Sequence, residues 1–245
     1  MWAPSAIGHR GRYYLSFAGN DIQGKGGPDY RPEWNKGYSV GGIGVAVADA
    51  PGGPYTDLLG EPLLNESYNM AQPIDQFVYR DPADSTVYFV YGGWGRCNLG
   101  PLNADFTGFV PWEDTGEPFR EVTPEGYVEG PFMCERRGTY YFMWSEGGWT
   151  DGSYKVAYAT APAATEPYTR QGTILESREP IATGAGHHSV IRVPGTEWHI
   201  IVYHRRPIPN EDREHRVTCM DELRFGGDGE ILPVVMTWEG VAGVK

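Results

Sequence analysis

Apolar and polar residues alternate along this chain in short runs, and the runs recur as a unit of apolar strand, tight turn and aromatic strand. Residues 127–145 show the unit most clearly. Glu129, Gly130, Pro131 and Phe132 open its first strand, and Arg136, Arg137 and Gly138 supply the turn. Thr139-Tyr140-Tyr141-Phe142-Met143-Trp144-Ser145 is then a β-prone strand suited to a half-buried or buried sheet. Three more aromatic strands are expected at residues 11–17, 86–91 and 195–203. The apolar runs that precede the four lie at 3–7, 74–79, 130–134 and 189–193.

Two units carry a further strand. Residues 42–55 and 154–168 alternate and then end in a Pro-rich turn, and each leads toward one more short strand, near Leu63 and near Ile174. Four-stranded antiparallel units returning roughly every 50 residues mark propeller blades. The expected fold is therefore all-β, of the β-propeller type, in a single domain over residues 1–245. The alternative, a β-sandwich, would lack the unit-by-unit recurrence. Residues 20–37, 98–127 and 205–216 are expected to be long polar loops, each after the aromatic strand of a unit, so that a propeller would gather them on one face.

The chain's 245 residues suffice for a sizeable core, and 34 glycines with 20 prolines suit short strands and many turns. A net charge of −12 argues against nucleic acid and anionic membranes as partners and is compatible with a neutral substrate such as a sugar. Cys97, Cys134 and Cys219 are far apart, odd in number and without metal-ligand spacing, so no disulfide framework is implied. Cys134 and Cys219, in strand-like runs, are expected to be small core residues. No apolar run is long enough to span a membrane. Met1-Trp2-Ala3-Pro4 lacks a basic segment followed by an apolar one, so a cytoplasmic location is expected.

Few positions stand out for their chemistry. Glu129, beside Gly130-Pro131 at the start of an apolar strand, would have its pKa raised where water is scarce, as a general acid needs. The competing reading is a solvated glutamate at a strand edge. Asp75 places a charge inside the β-prone run Ile74-Asp75-Gln76, which is costly unless the charge is partnered or functional; otherwise it is a strand-end aspartate bonded to a turn. His187 and His188 follow Gly184-Ala185-Gly186, a backbone able to make close approaches, and read equally as buried histidines bonded to backbone. Trp2, Phe17, Trp94 and Trp149 are candidate walls for the apolar faces of a sugar, although most tryptophans of a β-protein are core. Arg205, after the strand ending Val202-Tyr203-His204, and its rival Arg216 could donate to sugar hydroxyls or form surface ion pairs.

In this order the segments resemble glycoside hydrolase family 43, five-bladed propellers that act on xylosides and arabinosides. Trp2-Ala3-Pro4 followed by Gly11-Arg12-Tyr13-Tyr14-Leu15 resembles the opening of the family's second blade. Gly41-Gly42-Ile43-Gly44-Val45-Ala46-Val47-Ala48-Asp49, with Gly53-Pro54-Tyr55, resembles the rest of that blade. Pro73-Ile74-Asp75-Gln76-Phe77-Val78 resembles the third-blade strand with an essential aspartate, and Glu129-Gly130-Pro131-Phe132 the fourth-blade strand with the general acid. Gly184-Ala185-Gly186-His187-His188-Ser189-Val190 resembles the fifth-blade strand whose histidine lies near the axis. The likeness extends from Trp2 to about Gly240. The family's first blade, with its aspartate base, precedes the segment at which this chain begins. About four blades of five are therefore expected, with open strand edges at which self-association is expected.

The resemblance implies an inverting hydrolase that releases terminal xylose or arabinofuranose from hemicellulose oligosaccharides. It makes Glu129 the acid and Asp75 the carboxylate that orients it and raises its pKa. Trp2 and Arg205 would bind substrate, and His187 would lie beside a central cation, often calcium, that is otherwise surrounded by water. Asp21, Asp29 and Glu33 are not expected to replace the base. A non-catalytic carbohydrate- or protein-binding propeller is the alternative class.

Overall fold

The fold was taken from a computed structural model, which describes residues 2–19, 41–209, 212 and 214–243, without the side chain of Trp2. Asp21, Asp29 and Glu33, and the expected loop over residues 20–37, lie outside the described residues. Among those described, fifteen strands form four sheets. The first sheet is β1 (Trp2–His9), β2 (Arg12–Gly19), β3 (Gly42–Ala48) and β4 (Thr56–Asp57). The second is β5 (Phe77–Arg80), β6 (Val87–Tyr91), β7 (Asn98–Pro101) and β8 (Arg120–Glu121). The third is β9 (Glu129–Arg136), β10 (Thr139–Glu146), β11 (Lys155–Ala161) and β12 (Thr169–Leu175). The fourth is β13 (Ala182–Arg192), β14 (His199–Pro207) and β15 (Val217–Leu223). Each sheet is a meander in chain order, so every strand lies beside its sequence neighbour. Tight turns between β1 and β2 and between β9 and β10 favour this order. No helix among the described residues is long and apolar enough to cross a membrane, which leaves strands out of account.

The chain groups into two compact units, Met1–Thr123 with Glu129–Glu135, and Pro124–Val128 with Arg136–Lys245. The core of the first gathers Tyr14, Ile43, Val45, Val47, Leu64, Val78, Val87, Phe89, Tyr91, Phe106 and Phe119. Most come from β-branched and aromatic strand positions, which fill a pleated surface well, while Leu64, Phe106 and Phe119 come from the segments between strands. β2 shows the alternation directly: Tyr14, Ser16 and Ala18 are buried, while Tyr13, Leu15 and Phe17 are half-buried. Phe17 packs the tip of its ring on β3 because position 44 is glycine; a Cβ there would come within 2.8 Å of the ring. In the second unit β10 is buried from Tyr140 to Glu146, and Tyr154, Val156, Tyr158, Ile201 and Tyr203 complete the interior.

Four expectations change. Residues 98–127 are not one loop, since β7 and β8 lie within them. Asn98-Leu99-Gly100-Pro101 and Arg120-Glu121 are too short to show a period. The fourth strand of the first sheet is Thr56–Asp57, and Leu64 makes only an isolated bridge to Ile43. β14 continues to Pro207, so Arg205 and Arg206 are strand residues rather than the start of a loop. Cys219 is half-buried, Cys97 is fully buried, and Cys134, though half-buried as a residue, has its thiol enclosed, so that burial pushes its pKa up to about 12.

Candidate active site

In the first unit, Asp75 and Glu129 come together. One carboxylate oxygen of each lies within 4.8 Å of the other. Asp75 is 6% exposed, and Glu129, the first residue of β9, is half-buried. Asp75 is not inside the strand as expected. It precedes β5, at a bend with φ +56°, a left-handed conformation that a non-glycine residue seldom adopts.

Neighbouring backbone fixes that bend. The carbonyl of Ile74 accepts from the N–H of Gly92 at 3.0 Å, and the N–H of Ile74 donates to the carbonyl of Gln72 at 2.9 Å. On the other side, the buried amide of Gln76 donates to the carbonyls of Ala3 and Ser16 at 2.8 and 2.9 Å, and Ser5 Oγ accepts from the N–H of Val78 at 3.1 Å. A buried carboxylate held on a backbone pinned at both ends is preorganised, so little motion is needed to bring it to a partner. Glu129 is followed by Gly130 at φ +65°, and the ring of buried Phe132 packs on that of Phe77 with centroids 4.5 Å apart.

In the second unit, His187 is half-buried in β13, with φ +44°, and its N–H donates to Ser145 Oγ at 2.9 Å. The glycines before it are needed. A Cβ at Gly186 would collide with the ring of Tyr154, and one at Gly184 with the Arg206 guanidinium and the carbonyl of Asp151. His188 is fully buried, and burial pushes its pKa down to about 3, with the charge of His187 adding to the effect.

Arg205 does not have a free guanidinium. It is 6% exposed in β14 and donates to the carbonyl of Thr237 at 2.7 Å and to Tyr203 Oη at 3.4 Å. Tyr203 in turn donates to Asp221 at 2.6 Å, and Thr237 Oγ1 to the other oxygen of Asp221 at 2.5 Å. This buried network ties residues 237–240 to β14 and β15, a structural task. The rival Arg216 is half-buried, with its guanidinium 5.6 Å from the ring of Trp149, which is 38% exposed.

His204 was missed in the sequence. It pairs with Gly186 across β13–β14, its ring lies 5.5 Å from that of Tyr154, and its pKa is lowered to about 4, first by desolvation and then by the charges of Arg216, His187 and Arg206. Strand alternation would have revealed it, because Tyr203 and Arg205 flank it and occupy the opposite face. Of the aromatic candidates, Trp94 is 51% exposed, Phe17 is packed on Gly44, and only the backbone of Trp2 is described, paired with Ala18.

The family model for glycosyl hydrolases family 43 matches residues 1–231. A β-D-galactofuranosidase from Aspergillus niger is 43% identical over 212 residues, which cover 84% of this chain and 60% of that protein. A β-xylosidase from Xylanibacter ruminicola is 26% identical, with 96% of this chain and 74% of that protein covered. A xylosidase/arabinosidase from Humicola insolens is 27% identical, covering 95% and 74%. Among solved structures, an α-L-arabinofuranosidase from Clostridium thermocellum has a TM-score of 0.71 at 24% identity, covering 96% of this chain and 72% of that one. An α-L-arabinanase from Cellvibrio cellulosa has a TM-score of 0.74 at 19% identity, covering 96% and 76%. These structural likenesses carry the fold: the relatives are five-bladed propellers, and the described residues of this chain form four blades.

Proposed function

The chain belongs to glycosyl hydrolases family 43, and from that premise we propose that it hydrolyses the bond to a terminal xylose or arabinofuranose in hemicellulose oligosaccharides, with inversion, using Glu129 as the general acid. The observation that carries this reading is the Asp75–Glu129 pair. An inverting enzyme keeps its acid and base about 6.5–9.5 Å apart to admit a water. Two carboxylates within 4.8 Å leave no such room. Asp75 is therefore not the base. Its negative charge beside Glu129 disfavours a second negative charge, which keeps the proton on Glu129 until the leaving oxygen needs it. The base must be another carboxylate, across the sugar from Glu129.

Replacing Glu129 by Gln tests the assignment. The rate should fall about a hundred- to ten-thousandfold on unactivated glycosides, the usual contribution of an acid–base group, and far less on aryl glycosides whose leaving group needs no proton. Equal losses on both would remove Glu129 from the acid role. The anomer first released, followed by proton NMR, distinguishes inversion from retention. Retention would make Asp75 a nucleophile, since retaining pairs stand about 5–5.5 Å apart.

A second sugar is favoured by one observation. The relative 43% identical to this chain is named a β-D-galactofuranosidase. β-D-Galactofuranose and α-L-arabinofuranose share their ring stereochemistry and differ in the exocyclic arm, so one pocket can accept both. Side-by-side assay of the aryl β-D-galactofuranoside, α-L-arabinofuranoside and β-D-xylopyranoside decides among them.

Calcium belongs to the proposal in a limited form. It takes oxygen ligands, and the His187 imidazole offers none, so this side chain suits the ion's hydration shell rather than the ion itself. An ion bound there would show as a melting temperature that falls on chelation and recovers with calcium.

A further inference from the structure

We propose that Met70 and Trp94 form the wall against which the leaving-group sugar packs, on the solvent side of the Asp75–Glu129 pair; this rests on the hydrolase reading of that pair. Both are large apolar side chains left open to water, Met70 at 55% and Trp94 at 51% exposure. Both have left-handed backbone, φ +60° and +58°, as does Asn69 at +51°. Bulky residues take that conformation rarely, and here it displays apolar side chains that the core does not use.

The two loops that carry them are locked to one another and to Asp75. The N–H of Gly92 donates to the carbonyl of Ile74, and that of Gly93 to the carbonyl of Gln72 at 3.3 Å. Gly93 packs so closely that a Cβ there would come within 2.8 Å of Ile74 Cγ2. The other loop is held by Ser67 Oγ donating to the carbonyl of Ala71 at 2.9 Å, and by Asn69 Nδ2 donating to Oδ1 of the fully buried Asn98 at 2.8 Å. Asn98 donates in turn to the carbonyl of Tyr68 and to Tyr91 Oη, at 2.8 and 2.9 Å. Trp94 is thus two residues from a backbone hydrogen bond to the residue before Asp75, and Met70 two residues from the bridge between Gln72 and Gly93.

Depth assigns the subsite. Asp75 is buried, Glu129 half-buried, and Met70 and Trp94 exposed. A terminal sugar whose bond is cleaved at the carboxylates occupies the inner position, so the rest of the chain leaves toward solvent, past the exposed pair. Sugars present C–H faces that stack on an aromatic plane, and a thioether adapts its shape to the remainder of the ring. The ligand class is a neutral glycosyl unit beyond the scissile bond.

The test compares a disaccharide with the methyl glycoside of the same terminal sugar. Trp94→Ala should raise KM for the disaccharide about tenfold, and that for the methyl glycoside less than about twofold, at unchanged melting temperature. Trp94→Phe should restore most of the loss, and Met70→Ala should cost about threefold. Equal changes on both substrates, or none, would overturn the wall while leaving the hydrolase reading intact. If the parent cleaves neither substrate, the hydrolase reading fails, and disaccharide binding followed by calorimetry decides the wall alone. Binding lost in Trp94→Ala supports it; binding unchanged, or absent from the parent, overturns it.

Discussion

Asp75 in the first unit and His187 in the second occupy the same kind of position. Each is a left-handed residue at or just before the first strand of a sheet, and each is followed by a buried polar side chain. The first strands of the other two sheets carry the same device one residue later, at Ala3 after Trp2 (φ +37°) and at Gly130 after Glu129. A left-handed residue interrupts the strict alternation of a strand, so one side chain can be offered to a site while its successor is driven into the core. The successors differ. Gln76 is an amide, anchored by two hydrogen bonds and indifferent to pH. His188 is an imidazole whose protonation burial opposes. In the first unit only the offered side chain titrates, whereas in the second the anchoring one titrates as well.

Between these two positions, the largest expected effect comes from Asp75→Asn, which keeps the shape of the offered side chain and removes its charge. Without that charge Glu129 loses its proton more easily, so the alkaline limb of the pH–rate profile should move to lower pH, with a loss at neutral pH of about a hundredfold. A profile with its limb in place and near-normal rates would mean that the pair is structural. The amide neighbour Gln76 should show the contrasting behaviour. Gln76→Ala should cost stability, through its lost bonds to Ala3 and Ser16, without moving the limb.

The next effect lies in the second unit and is one of stability. His188 has its folded pKa near 3, below the ordinary value of 6.5. A depressed histidine binds its proton in the unfolded chain first, so stability is fully present above pH 6.5 and is lost as pH falls from there toward 3. At pH 5 the loss is about 2 kcal/mol, from about 1.4 kcal/mol per pH unit. His204, lowered to about 4, adds in the same direction. Denaturant unfolding between pH 7 and pH 5 should therefore show a decline that His188→Gln reduces, whatever its effect at pH 7. An unaltered decline would mean that other groups carry the acid sensitivity.

The sequence made the repeat legible because each unit contains a long aromatic strand with a turn before it; β2, β6, β10 and β14 all fall on the expected runs. It concealed the outer strands, since two residues such as Thr56–Asp57 or Arg120–Glu121 have no period to detect. Glu129 and Asp75 could be singled out because a carboxylate among apolar neighbours is costly unless used. What could not be read was conformation at non-glycine positions. Nothing in Ile74-Asp75-Gln76 announces φ +56°, which arises from hydrogen bonds to residues distant in sequence, Gly92, Ala3 and Ser16. Arg205 shows a second limit. The charge pattern did not reveal that it lies inside a strand, in register with Tyr203 and bonded to Thr237.

The smallest effect tests the device that both positions share. At φ +44°, any side chain at position 187 is strained by roughly 1–2 kcal/mol, because its Cβ approaches the following carbonyl. Glycine lacks that Cβ, but it loses about 0.5–1 kcal/mol more conformational freedom on folding. His187→Gly should thus be more stable than His187→Ala by a few tenths to about 1 kcal/mol, a gap of about 1–4 °C in melting temperature for a chain of this size. Comparing the two variants cancels the imidazole, whose contacts both have lost, and leaves the backbone term alone. On ordinary strand backbone the order would reverse, since glycine is the poorer strand residue. An alanine variant that melts above the glycine variant would therefore show that position 187 is not left-handed in solution, and the parallel with Asp75 would fail.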